Sequence, residues 1–480
     1  MQKLANYING ELVPAVSGQW IDSFEPATGK VHAQAPDSDA RDVDHAVQAA
    51  QKAFPGWSRT PAEERCRLLL RLADLIDRDH EEMARAESTD SGKPLSLARE
   101  VDIPRSARNF RFFAGAAVHF ASEAHIMEET ALNYTLRQPV GVAGCISPWN
   151  LPLYLFTWKI APALAAGNCV IGKPSELTPV TAWRLVQLTR EAGLPPGVLN
   201  IVHGYGAKVG QAIIEHPDVP AISFTGGTKT GAAIASAAAP HFKKLALEMG
   251  GKNPSIVFAD ATFSDAVATT VRSAFSNQGE ICLCGSRIFI EQSIYGQFRD
   301  ELVSRAKGLR IGDPLEASTQ VGALVSRAHL EKVLSYIEMA RSEGGKILCG
   351  GKAIEMGGRC QGGWFVEPTI IEGLPPICRT NQEEIFGPVA TLLPFDREED
   401  LIRDADCTPY GLAAMIWTND LSRAHRVAAQ IHSGIVWINC WMVRDLRTPF
   451  GGMKQSGLGA EGGLESLRFF THPKNVCVKL

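Results

Sequence analysis

The sequence predicts an α/β protein with a Rossmann-like parallel sheet, a second α/β region and a small separate β element. Three observations carry that expectation. From residue 140 short apolar runs alternate with helix-length segments, and beyond residue 250 new apolar runs begin. Two further stretches, within 120–139 and 473–480, alternate apolar and polar residues in a strand-like way. Repeated strand–helix–strand units imply parallel strands covered on both faces, with ligands near the strands' C-terminal ends.

Taken in order, the first 60 residues read as short strands and turns, including the Asn9-Gly10 hairpin signal. Residues 63–85 read as helical, because Leu68, Leu69, Leu72, Leu75 and Ile76 recur on one face between arginines and aspartates. The strands of the first α/β region are Val140–Ile146, Cys169–Gly172, Val198–Val202, Ala221–Thr225 and a run near Leu245–Leu247. Helices fall between them near 153–166, 179–192, 206–215 and 229–239. The second region offers strands at Ser255–Phe258, Ser286–Ile290 and Val436–Asn439. The alternating stretches Asn133–Arg137 and Asn475–Lys479 suit strands that pair with another subunit or close an edge of their own sheet.

With 45% apolar and 21% charged residues, the chain can bury a large core, which excludes disorder as a description of the whole. Its 48 basic and 52 acidic side chains leave a net charge of −4, too balanced for a bulk attraction to nucleic acid or an anionic membrane. The most apolar long stretch, 160–171, is interrupted by Pro162, Gly167 and Asn168, short of the roughly 20 apolar residues a membrane span needs. The N-terminus lacks the apolar core of a signal peptide. Eleven cysteines, an odd number in a chain large enough to need no staples, read as reduced thiols in a cytoplasmic protein.

Three stretches stand out for chemistry. Phe224-Thr225-Gly226-Gly227-Thr228-Lys229-Thr230-Gly231 joins a predicted strand to a predicted helix, and reads equally as a phosphate-holding turn or an ordinary glycine-rich one. Lys173 and Glu176 end another strand, where they could hold ribose hydroxyls or cap the next helix. Asn277-Gln278-Gly279-Glu280-Ile281-Cys282 is polar and Gly-flanked, and sets a cysteine among small and apolar neighbours, where it is a nucleophile or a buried small hydrophobe. Cys282 and Cys284 have no companion Cys/His cluster nearby, so a metal site is not expected.

Along nearly its whole length the chain resembles the NAD(P)-dependent aldehyde dehydrogenase superfamily, with several motifs in the family's order. The cysteine motif is Asn277–Cys282, the glutamate motif Leu247-Glu248-Met249-Gly250-Gly251-Lys252, and the oxyanion motif Pro148-Trp149-Asn150. Glu383-Glu384-Ile385-Phe386-Gly387-Pro388 resembles the cofactor-ribose motif, and Pro449-Phe450-Gly451-Gly452 with Lys454-Gln455-Ser456-Gly457 the stretch near the C-terminus. The resemblance implies that Cys282 attacks the aldehyde, Asn150 and the Cys282 N–H hold the oxyanion, and Glu248 activates the water that releases the acid. It implies an NAD site built from Trp149, Lys173, Glu176, Gly226, Gly231, Glu384 and Phe386, with Glu176 disfavouring the 2′-phosphate of NADP. It further implies an NAD-binding domain at 1–119 and 140–249, a catalytic domain at 250–455, and an oligomerisation element at 120–139 and 466–480. A homodimer or homotetramer follows from the same likeness.

Leu151 after Asn150, Glu280-Ile281 before Cys282, and Trp441–Pro449 resemble the branch whose members act on 2-hydroxymuconic and 2-aminomuconic semialdehydes. In the family the segment around Asp102-Ile103-Pro104-Arg105 and the loop holding Arg444 line the substrate entrance. Two guanidinium groups there suit a substrate whose carboxylate lies far from its aldehyde, with Arg447 as the alternate to Arg444. The competing reading is that these arginines merely pair with Asp102 or Asp445. Another semialdehyde, such as succinic semialdehyde, and a non-catalytic crystallin-like scaffold remain the alternative functions.

Overall fold

A computed structural model describes residues 1–480. An eight-stranded sheet runs, edge to edge, Gly457–Leu458, Lys244–Glu248, Ala221–Thr225, Val142–Ile146, Cys169–Lys173, Leu199–Ile201, Asn6–Ile8 and Glu11–Val13. The five central strands pair in parallel, as their apolar runs predict, and the outer ones antiparallel. Ile146, Ile171, Ile222 and Phe224 of this sheet pack with Leu153, Phe156 and Ile160 of the helix Pro152–Ala165 in one buried cluster. The chain adds strands to one side of Val142–Ile146 and then, from Ala221–Thr225, to its other side, so the strand order switches between these two parallel neighbours. At such a switch point the following loops diverge and leave a crevice at the strands' C-terminal ends.

A second sheet has seven strands, ordered Lys346–Cys349, Thr369–Glu372, Val389–Phe395, Arg287–Glu291, Pro254–Val257, Ala413–Trp417 and Ile435–Ile438. All its pairs are parallel except the first. A third sheet joins Ala124–Met127, Ala131–Pro139 and Thr471–Lys479 antiparallel, so the two alternating stretches do pair with each other within this chain. Residues Gln2–Lys3, Trp20–Glu25 and Lys30–Pro36 form a further small sheet. No helix is long and apolar enough to cross a membrane.

One sequence expectation needs correction. The first 60 residues do not stay in strands and turns, for Ala40–Arg59 is a helix burying Val43, Ala46, Val47 and Ala50. Its Asp39 capping box starts it cleanly, whereas Pro55-Gly56, which punctuates like a turn, lies inside it. Residues 63–85 are helical as expected, divided between the helices Ala62–Arg78 and His80–Ser91 with a break at Asp79. The leucine stripe ends at Ile76, and the second helix buries the polar Glu87, Ser88 and Asp90, which no apolar periodicity reveals. The Asn9-Gly10 hairpin is as expected, both residues taking positive φ (52° and 84°) between paired strands.

Candidate active site

A cleft of about 260 Å³ opens at the C-terminal ends of Val142–Ile146 and Ala221–Thr225. Their following loops supply Pro148, Trp149 and Asn150 on one side and Gly226 and Gly227 on the other. Cys282, Glu384 and Phe386 arrive from the direction of the second sheet, with His329 and Lys332 from the helix Arg327–Ser342. The two sheets therefore meet over the cleft.

The cysteine loop is held under backbone strain. Asn277 and Gln278 have φ of 52° and 53°, and Gly279 follows at 72°. A Cβ at Gly279 would lie 2.1 Å from the Gly387 carbonyl oxygen, so only glycine fits. Side-chain amides then fix the loop's carbonyls. The Glu280 carbonyl accepts from Asn150 Nδ2 (2.9 Å) and Asn277 Nδ2 (3.1 Å), and Asn253 Nδ2 donates to Cys282 O (2.8 Å) and Cys284 O (2.9 Å). An amide nitrogen carries two hydrogens, so Asn150 keeps one donor for the cleft. The buried Glu280 carboxyl accepts from the Val325 N–H at 3.1 Å and Gln278 Nε2 at 3.2 Å.

Burial pushes the Cys282 thiol up to about 12, and the Glu384 and Glu248 carboxylates add to the shift. Glu248 ends the strand Lys244–Glu248; its buried Oε2 has no partner, and burial with nearby Glu461 raises its carboxyl well above the usual range. Glu461 is itself held by Lys159 (2.8 Å) and Ser223 (2.7 Å). Burial thus favours the protonated form of both the Cys282 thiol and the Glu248 carboxyl.

On the other side of the cleft, Glu384 Oε1 accepts from the Gly251 N–H at 2.9 Å, and a Cβ at Gly250 would strike the same carboxylate at 2.3 Å. Phe386, at φ 62°, meets Trp149 edge-on at 5.3 Å. His329 Nε2 donates to the Phe386 carbonyl at 2.6 Å, and burial lowers the ring's pKa to about 4. Lys173 Nζ and Glu176 Oε2 pair at 3.0 Å past the end of the strand Cys169–Lys173. Gly231 does not line the cleft. It sits one turn into the helix Thr228–Ala238, where a Cβ would fall 2.1 Å from the Met249 sulfur.

The arginines are sorted clearly. Asp102 is paired with buried Lys93, and Asp445 binds Arg447 at 2.6 Å on the surface. Neither carboxylate takes Arg105 or Arg444. Arg105 is buried in the helix Ile103–Val118, its Nε and Nη2 lack any partner, and its guanidinium lies 5.4 Å from the Tyr154 ring and 5.8 Å from Trp158. Arg444 shares those neighbours: Nη1 donates to Tyr154 Oη at 3.3 Å, and the guanidinium sits 5.1 Å from Trp158 and 3.9 Å from Phe450. Arg444 is also near enough to oppose the upward shifts of Cys282 and Glu248. Leu151 is buried directly before the helix Pro152–Ala165 that carries Tyr154 and Trp158.

Fold and cleft together define an oxidoreductase class, and the chain belongs to the aldehyde dehydrogenase family, which residues 12–476 match. It is 53% identical over 479 residues to 2-aminomuconic semialdehyde dehydrogenase of Danio rerio, covering 99% of this chain and 98% of that one. It is 48% identical over 486 residues to 2-hydroxymuconic semialdehyde dehydrogenase of Pseudomonas sp. (strain CF600), covering 100% of each. An NAD+ complex of an aldehyde dehydrogenase from Bacillus cereus superposes with a TM-score of 0.97 at 38% identity, over 100% of this chain and 97% of that one.

The sequence reading missed His329 and Lys332, and with them the aromatic surroundings of the arginines. His329 and Lys332 belong to no motif; they are three apart on a helix that Ser326 caps, and that spacing alone marks only a shared face.

Proposed function

We propose that the protein oxidises a semialdehyde bearing a remote carboxylate, 2-hydroxymuconic or 2-aminomuconic 6-semialdehyde, to the dicarboxylic acid with NAD. The observation that carries this reading is the pair of arginines, Arg105 and Arg444, which share an aromatic enclosure and of which neither forms an ion pair with a carboxylate of the protein's own. A buried guanidinium without a counter-ion is costly unless a ligand supplies one. The names of the relatives from Danio rerio and Pseudomonas point to the same substrates.

The residues of the cleft fit a dinucleotide. No side chain caps the helix Thr228–Ala238, so its first N–H groups, preceded by Gly226 and Gly227, are free for a pyrophosphate. Lys173 and Glu176 would hold one ribose, Glu384 the other, and Trp149 and Phe386 the ring end; Gly231 lets the helix pack close to Met249. When bound, NAD supplies the acceptor for the hydride. In this reading Glu248, first ionised by losing its own proton to solvent, takes the Cys282 proton and passes it on to solvent, and the sulfur bonds to the aldehyde carbon. The oxyanion is held by the remaining Asn150 hydrogen and the Cys282 N–H, donors worth 10²–10³-fold each in comparable sites. After oxidation a thioester remains on Cys282. Glu248 then deprotonates a water, whose oxygen attacks the acyl carbon as the C–S bond breaks.

The test is steady-state kinetics with 2-hydroxymuconic, succinic and a neutral aldehyde, using NAD and NADP. Arg105→Gln and Arg444→Gln are each expected to cost about 10–100-fold in kcat/KM with the muconic semialdehyde, the range of a lost charge-assisted hydrogen bond, and several-fold less with the neutral aldehyde. NAD is expected to be strongly preferred because of Glu176. Equal losses on both substrates would remove the carboxylate argument, a higher kcat/KM for succinic semialdehyde would reassign the substrate, and no turnover at all would favour a scaffold.

A further inference from the structure

The segment that carries Arg444 is fastened by two tryptophans. After the strand Ile435–Ile438 the chain turns through Asn439 (φ 54°) and Met442 (φ 61°), two non-glycine residues in the left-handed region. The Asn439 amide anchors the start, accepting from the Thr418 N–H at 3.0 Å and donating to Thr418 O at 2.8 Å. Trp437 Nε1 donates to Val443 O at 2.9 Å, immediately before Arg444. Trp441 Nε1 donates in the other direction, out of the segment, to Leu283 O at 2.9 Å. Leu283 is the residue after Cys282, and both Trp441 and Leu283 are buried.

The other side-chain donors to the cysteine loop's carbonyls are Asn150, Asn277 and Asn253. Asn150 follows a strand of the first sheet, Asn277 lies in the loop itself, and Asn253 is pinned by the Ala413 N–H at 3.0 Å. None of the three belongs to the Arg444 segment. Trp441 does, and it is three residues from Arg444. Indole is rigid and its one N–H has a fixed direction, so the Leu283 carbonyl can follow the segment only as a unit with it.

We propose that Trp441 is a positioning residue that couples the seating of the substrate's remote carboxylate on Arg444 to the placement of Cys282. This rests on the reading of Arg444 as the carboxylate site. When a carboxylate seats Arg444, the segment settles, Trp441 holds the Leu283 peptide, and the Cys282 sulfur and N–H are aligned for attack. A neutral aldehyde leaves the segment unseated and gains less from Trp441.

Trp441→Phe keeps the buried ring and removes the N–H. With the muconic semialdehyde it is expected to lower kcat about tenfold, the range for leaving a buried acceptor unpaired, while KM stays within about threefold. With a neutral aldehyde the loss in kcat is expected to be smaller, so the preference for the acid contracts. The kcat losses of Trp441→Phe and Arg444→Gln are expected to be strongly non-additive in the double variant. Trp437→Phe, which loosens the segment without touching the cysteine loop, is expected to raise KM for the acid more than it lowers kcat. Additive losses, or a Trp441→Phe protein whose melting temperature falls while kcat for the acid holds, overturn the coupling. Trp441→Tyr is read by the same criteria should the phenylalanine variant fail to fold. Equal losses of Arg444→Gln on acid and neutral substrates would instead remove the carboxylate reading, an outcome separable from the others.

Discussion

Burial raises the pKa of the Cys282 thiol, to about 12, and that of the Glu248 carboxyl, and the proposed chemistry needs both protons gone. Both shifts are upward, so the reactive forms are scarce at low pH and gain with every step toward alkali. The expected outcome is a kcat that rises from pH 6 to 9. Glu248→Gln should flatten part of that rise and cost about 10²–10⁴-fold, with acyl-enzyme accumulating in a burst experiment. A profile already flat from pH 6 would mean that neither proton limits the rate. These residues were legible because each stands in a motif whose order along the chain is informative. The freedom of Arg105 and Arg444 was not legible. Asp102 and Asp445 stand as near in sequence as any partner could, and what removes them is Lys93 in one case and Arg447 in the other.

Local backbone irregularities place these side chains. The helix carrying Arg105 is entered through a π turn, Ala98–Asp102, at whose end Asp102 takes buried Lys93. The same cluster includes buried Glu87, whose carboxylate receives the Leu153 N–H at 3.1 Å at the start of the helix behind Asn150. Lys93→Met would strand the Asp102 charge in the interior, and a loss of about 3–5 kcal/mol in denaturant unfolding is expected. The loss in kcat/KM should exceed what the destabilisation explains, because Arg105 is three residues beyond Asp102. An unaltered unfolding midpoint would show that the pair is not needed there. Periodicity found the strands and most helices because their apolar faces repeat. It missed the helix Ala40–Arg59 and the break at Asp79, where capping and buried polar groups outweigh pattern.

The third sheet is where a contact between copies is expected. Its outer strands, Ala124–Met127 and Thr471–Lys479, leave backbone groups unpaired at both edges, and Ile126 (76%) and Val478 (45%) are exposed. Such edges invite pairing with another copy. A native mass that is a multiple of 51.9 kDa is expected, falling to a smaller species when residues 471–480 are removed. An unchanged mass for the shortened chain would assign the contact elsewhere. Balanced charge, the alternation of strands and helices, and the motifs that hold Cys282, Glu248 and Asn150 could all be read from residue order, because periodic burial and contiguous motifs are local properties. The convergence of Cys282, Glu384 and His329 on the end of the first sheet, the two arginines without an ion-pair partner, and the indole bridge from Trp441 to Leu283 came only with the folded chain. Each depends on which of several chemically equal partners is near in space, and residue order does not encode that distance.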